Sequence, residues 1–258
     1  MPRIEIDGRT PDPDLLATAL LNQYGHFTAM QVRGRRVRGL DLHLARLRAA
    51  TAEVFGTGLD TDAVRGHLRG ALTDEYADSA VRIQVLHLDP AADPAIVVLL
   101  RPPVDMPRAP QRLRSVRHQR PLAHIKQVGG SFGQSYHGRA ARAAGFDDAL
   151  LTAADGTISE TSIANIGFFD GSAITWPDAP ALEGITKQLV QHHGPGAGLA
   201  SKTGPVTLDD VPAHRAAFVA NSQGIAPVSA IDDTQLPVDD ELMAALYDLY
   251  ESAPWDTI

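Results

Sequence analysis

Four prolines within residues 101–112, RPPVDMPRAPQR, limit the fold more than any other stretch of this chain. Proline fixes φ and lacks an amide donor, so no helix or central strand runs easily through such a segment, and no apolar periodicity argues otherwise. The stretch reads as a linker between an N-terminal domain at 1–104 and a C-terminal domain at 112–258. Helix and strand signals are interspersed on both sides without regular βαβ alternation, and no GxGxxG follows a strand. The expected class is therefore α+β.

Before the linker, alternation at 3–7 predicts an opening strand, 12–22 a helix or irregular cover, and HFTAMQVRGRRVRG a strand through Val32, a turn at Gly34 and a strand near Val37. Leu42, Leu44, Leu47, Ala50 and Val54 recur at helical spacing over 41–55, with Asp41 able to cap. A second helix is expected over 61–76, capped by Asp60 or Thr61, then strands at 80–88 and 95–100 around the turn DPAADP at 89–94. Beyond the linker, strands are expected at 173–176 and 216–220 and helices at 183–193 and 239–251.

A 44% hydrophobic share is ample for a core, and a net charge of −8 argues against nonspecific binding to a nucleic-acid backbone. The arginine-rich pieces at 33–38 and 112–120 read as solvated strand edges or loops. With no cysteine, disulfides and thiolate metal sites are impossible. The charged N-terminus lacks the apolar core of a signal peptide and the longest aliphatic run, 95–100, is too short to span a bilayer, so a cytoplasmic location is expected.

The chemistry concentrates in 124–169. Lys126 follows Leu122, Ala123, His124 and Ile125 and precedes Val128. Burying an ammonium is costly, and a lysine that loses its proton becomes a nucleophile able to form an imine with an aldehyde; the alternative is a snorkelling surface lysine. Glu160 lies 34 positions on, after the turn Asp155-Gly156, and reads either as a carboxylate beside a pyridine nitrogen or as a strand-edge residue facing water. Anion donors are available at Arg46, at the helix opening Gly184-Ile185-Thr186 and in Asn221-Ser222-Gln223-Gly224, each with a plain structural alternative as bridge, cap or turn. His192-His193 offers no third ligand at zinc spacing, so no metal is expected. His124 would share the face of Lys126 on a strand, where it could tune the site or simply pack; Tyr136 and His137 receive no role.

The order of these pieces resembles the class IV, fold type IV pyridoxal phosphate enzymes, which include branched-chain and D-amino acid aminotransferases and aminodeoxychorismate lyases. HLARL at 43–47, IK at 125–126, AGFDDALLTAADGTISETSIANIGFF at 144–169, LEGIT at 182–186 and the Asn-Ser turn before Ala226 carry the resemblance. It implies a two-domain D-amino acid aminotransferase-like fold, pyridoxal 5'-phosphate between the domains, and a homodimer. It also implies that Lys126 holds the cofactor and shuttles the substrate proton, that Glu160 meets the pyridine nitrogen, and that Arg46, Ile185, Thr186 and Ser222 hold the phosphate.

The departures bear on substrate. Gly129-Gly130-Ser131-Phe132 stands where many members have an Asn-Tyr pair, so the tyrosine hydroxyl is missing. His87 stands where D-amino acid transaminases place an arginine, and Arg82 lies on a strand like one in branched-chain enzymes; together with Phe27 these are the substrate-side candidates. Phe27-Thr28 looks like the Phe-Thr of aminodeoxychorismate lyases, whose threonine lies at the reaction centre, although 86–94 lacks the arginine and glycine-rich loop of those lyases. The expected function is amino transfer between an amino acid or amine and a 2-oxo acid. The alternatives are a lyase eliminating pyruvate with help from Thr28, or a cofactor-binding relative without transaminase activity.

Overall fold

The computed structural model describes residues 2–89 and 91–258, arranged as two compact units. The first comprises 1–104, 125–130 and 254–258; the second comprises 105–124 and 131–253. The turn expected over 89–94 includes Pro90, which lies outside the described residues. No helix among the described residues is long and apolar enough to cross a membrane.

In the first unit, β1 (Arg3–Ile6), α1 (Pro13–Leu21), β2 (Gly25–Val32), β3 (Arg36–Arg38), α2 (Leu40–Phe55), α3 (Thr61–Ala71), β4 (Ser79–Leu86) and β5 (Ala95–Arg101) follow one another. Four strands form an antiparallel sheet in the order β1-β5-β4-β2. β2 alternates in burial: His26, Thr28, Met30 and Val32 are buried, while Phe27, Ala29 and Gln31 are partly open. Met30, Val32, Leu44, Leu47, Val64, Leu68, Ile83 and Leu100 pack into one core, which joins α2 and α3 to the sheet. Asp60 caps α3 as expected, accepting from the amides of Asp62 and Ala63. α2 differs from expectation: it begins at Leu40, one residue before Asp41, with Gly39 in the left-handed region at φ 67° and no side-chain cap. Asp256 takes the Leu40 amide instead, at 2.8 Å. That aspartate belongs to a terminal strand, Trp255–Thr257, which pairs antiparallel with β3. The second helix is also shorter than expected, ending at Ala71 before a separate 3₁₀ turn at Asp74–Tyr76.

In the second unit come β6 (Gln111–Arg117), α4 (Phe132–Ala143), β7 (Asp148–Thr152), β8 (Ile158–Thr161), β9 (Asn165–Phe169), β10 (Ala173–Pro177), α5 (Ile185–His193), β11 (Ala200–Gly204), β12 (Ala216–Asn221), β13 (Gly224–Ile231), β14 (Thr234–Gln235) and α6 (Asp240–Ser252). The sheet runs β11-β10-β9-β12-β13-β6-β7-β8, with β14 paired to β13. β6 corrects the reading of 112–120 as a solvated edge or loop: it is an interior strand, parallel to β13 on one side and β7 on the other. Leu113 is its buried anchor, while Arg112, Arg114 and Arg117 are exposed. Leu150, Ile158, Ile166, Phe168, Val219 and Val228 form one core. Trp176, Val190, Phe218, Leu242 and Leu246 form another, which joins α5 and α6 to the sheet.

Candidate functional site

Six residues, 125–130, bring Lys126 to the edge of the first unit's sheet. The Lys126 carbonyl accepts from Phe27 N at 2.8 Å, the Val128 amide donates to Gly25 O at 2.9 Å, and Gly129 N donates to Gln23 O at 3.1 Å. Gly25 is required here because a Cβ would collide with the Val85 carbonyl and the Leu86 side chain. The linker reading had put Lys126 on the C-terminal domain; the residues it pairs with put it in the first unit. The approach through 121–125 is a run of turns and a bend, with Leu122 at φ 48°, so strand alternation does not govern how His124 and Lys126 face.

The partly buried Lys126 has Nζ 5.1 Å from the Phe27 ring centroid, and Arg82 Cζ stands 3.6 Å from the same centroid. Both are cation–π contacts. With the Gln84 amide turned so that its oxygen faces the guanidinium, it accepts from Arg82 Nε at 2.8 Å and Nη2 at 3.1 Å. A neutral amide leaves the guanidinium's charge uncompensated. Burial, then Arg101, lowers the Arg82 pKa to about 10, which still leaves it charged at neutral pH. His87 does not join this group: its ring packs on Phe55 of α2 at 5.6 Å, in a cluster that also holds Tyr24 and His26. Phe132, which stands in the Asn-Tyr position, is exposed and stacks with Tyr136.

The other side of β2 carries a buried polar group. Thr28 Oγ1 receives an N–H of Arg46 and lies 2.6 Å from His43 Nδ1; His26 Nε2 lies 3.0 Å from Thr51 Oγ1. Burial, then the Arg46 charge, lowers the His26 pKa to about 4 and that of His43 well below its ordinary value, so both rings are neutral. Burial also lowers the Arg46 pKa, to about 10. Its Nε is out of solvent and has no hydrogen-bond partner among the described residues. An orphan donor on a charged group is what an anion would satisfy.

In the second unit, Glu160 on β8 is buried with both carboxylate oxygens engaged. Arg120 Nη1 donates to Oε1 at 2.6 Å and to the Ala123 carbonyl at 2.8 Å, while Leu182 N donates to Oε2 at 3.3 Å. Sequence reasoning missed Arg120, grouping it with solvated arginines, yet its side chain is only 8% exposed. The available signal was that residues 106–146 contain no Asp or Glu, so a cation there needs a carboxylate from elsewhere in the chain.

The opening of α5 is built around backbone donors. Gly184 caps it without a side-chain hydrogen bond, leaving the amides of the first turn at the positive end of the helix. Asn165 pins the approach, donating to Leu182 O at 2.8 Å and accepting from Gly184 N at 3.1 Å. A Cβ at 184 would collide with Asn165 Oδ1. Thr186 Oγ1 donates to Asn221 O at 2.7 Å, which brings Ile185 and Thr186 to the β12–β13 turn containing Ser222. The Thr186 hydroxyl proton is thereby committed to Asn221.

Residues 25–231 match the amino-transferase class IV family model. No curated protein matches. Among solved structures, a hypothetical aminotransferase from Mycobacterium tuberculosis in its PLP-bound form aligns with a TM-score of 0.84 at 18% identity, over 97% of this chain and 98% of that one. The branched-chain aminotransferase from Thermoproteus uzoniensis with norvaline gives 0.80 at 21% identity, over 96% and 93%. A putative 4-amino-4-deoxychorismate lyase from Legionella pneumophila gives 0.78 at 21%, over 92% and 93%. At these identities the likeness is one of fold, the mixed helix-and-strand fold type IV. The family match spans most of the chain, and the chain belongs to the class IV amino-transferases.

Proposed function

We infer that this protein moves an amino group between an amino acid or amine and a 2-oxo acid. Its cofactor is pyridoxal 5'-phosphate, the cofactor of the family. The residues suit that group: a half-buried lysine for its aldehyde, a buried carboxylate for its pyridine nitrogen, and, for its phosphate, the orphan Nε of Arg46 and the uncapped first turn of α5.

When bound, the cofactor supplies an aldehyde carbon that exchanges amines and a ring that accepts electrons from a deprotonated substrate carbon. Lys126 Nζ would hold the cofactor at its aldehyde carbon and, once free, would take and return the substrate proton. Glu160 would accept the cofactor's ring N–H, and the Arg120 cation balances its buried charge. Arg46, the amides of Ile185 and Thr186, and Ser222 hold the phosphate. Arg82, half-buried over Phe27, is the cation available to a substrate carboxylate, and His87 lies with the aromatic cluster instead.

The observation that carries transamination over elimination is the engagement of Thr28. Its buried hydroxyl is held by His43 and Arg46, so aiding pyruvate loss would require both to release it. The reading extends to a homodimer in the cytoplasm, which light scattering and cell fractionation address. The test of function is a titration of the purified protein with pyridoxal 5'-phosphate. A visible absorption band is expected in the wild type and not in Lys126→Ala. Amino donors should then convert the band reversibly and release the matching carbonyl compound, a 2-oxo acid from an amino acid and an aldehyde or ketone from a simple amine. Pyruvate release from aminodeoxychorismate, with no reversible conversion, would establish the lyase instead; no band in the wild type would sink both readings.

A further inference from the structure

Thr28 is the one hydrogen-bond partner of the Arg46 side chain among the described residues. A guanidinium only donates, so Thr28 Oγ1 is the acceptor in that bond, and its own proton must go to its other partner, His43 Nδ1. The chain of donors runs in one direction, from Arg46 N–H to the Thr28 oxygen and from the Thr28 hydroxyl to the His43 ring nitrogen. That direction requires an unprotonated Nδ1, and burial of His43 beside a permanent cation supplies it.

All three groups are local to β2 and α2. Thr28 is fully buried, His43 and Arg46 are three positions apart on one helix face, and the Arg46 Nε is left without a partner. A long, flexible side chain held at one nitrogen keeps its remaining donors in a fixed place. We propose that Thr28 and His43 are positioning residues that set the Arg46 guanidinium for the cofactor's phosphate, and that Thr28 acts through Arg46 rather than on the reacting atoms. This rests on the reading of Arg46 as a phosphate-binding residue.

The experiment compares pyridoxal 5'-phosphate with pyridoxal, which lacks the phosphate, by equilibrium titration of the purified protein. The quantity read is the ratio of the two affinities. Thr28→Val keeps the side-chain shape on a strand but removes the acceptor; it should lower that ratio about tenfold or more and leave pyridoxal affinity unchanged. Thr28→Ser restores the hydroxyl and should recover the wild-type ratio. His43→Asn, which retains an acceptor near the Nδ1 position, should keep the ratio, whereas His43→Leu should lower it. A wild-type ratio in both Thr28→Val and His43→Leu overturns the proposal, as does an equal loss of both ligands. If the wild type itself binds the two ligands equally, the phosphate reading of Arg46 falls and the proposal falls with it.

Discussion

Arg46 in the first unit and the opening of α5 in the second are both suited to an anion, but they are made of different material. The first is a side chain whose charge, rotamer and available donors depend on Thr28 and His43. The second is a set of backbone amides whose supply depends only on where the chain runs, and Asn165 fixes that by pinning residues 182–184. A side-chain device can be undone one atom at a time and can be tuned by its neighbours. A backbone device tolerates changes in its own side chains and fails when its loop moves.

The largest effect should appear where the second unit also relies on a side chain. Arg120→Met removes the buried ion pair of Arg120 with Glu160 and should cost about 3–5 kcal/mol in urea unfolding of the cofactor-free protein. A loss under about 1 kcal/mol would mean that groups other than Arg120 already compensate Glu160.

Acid should weaken the first unit more than the second. His26 is neutral when folded, with a pKa lowered to about 4 by burial and Arg46, and takes up a proton at its ordinary value of 6.5 when unfolded. The unfolded state thus binds more protons between those values. The His26 contribution to stability is intact above pH 6.5 and falls by about 1.4 kcal/mol per pH unit on the way down to about pH 4, and the neutral His43 adds to the same limb. His26→Gln, which keeps a bond to Thr51 without titrating, should remove the His26 share of this limb and leave that of His43 in unfolding curves taken at several pH values. An unchanged slope would place the acid sensitivity elsewhere.

Arg46→Met removes the whole side-chain device and should lower affinity for pyridoxal 5'-phosphate by about 30–100-fold, a loss of about 2–3 kcal/mol of charge-assisted hydrogen bonding. Thr186→Val probes the backbone device and should do least. It gives up the bond to Asn221, worth about 1 kcal/mol of stability, but keeps the amide, so cofactor affinity should change less than about fivefold by spectral titration. Equal losses in Arg46→Met and Thr186→Val would erase the distinction between the two devices.

The residues that local chemistry singles out were legible in the sequence. The apolar spacing of 41–55 and the Asp60 cap marked helices that are present, and Thr186 bonds to the residue next to Ser222. What escaped notice depends on distant partners. β6 reads as polar because only Leu113 is fully buried, and its neighbours β13 and β7 supply the pairing that makes it an interior strand. Arg120 looks solvated until Glu160, 40 positions away, closes on it. The cap of α2 comes from Asp256, more than two hundred residues beyond the helix it starts. No local pattern encodes such pairings, because each is fixed only when the tertiary fold closes.

The path of the chain has a consequence for how this architecture can be divided. It leaves the first unit after Val104, returns for 125–130, departs again, and comes back for the last five residues. A cut at the proline-rich segment would give one fragment bearing Lys126 without the strand that seats it, and another bearing that strand without Lys126. Lys126 and its seat are inherited only together. Recombination at this boundary would therefore part Lys126 from the strand it pairs with, whichever half were exchanged.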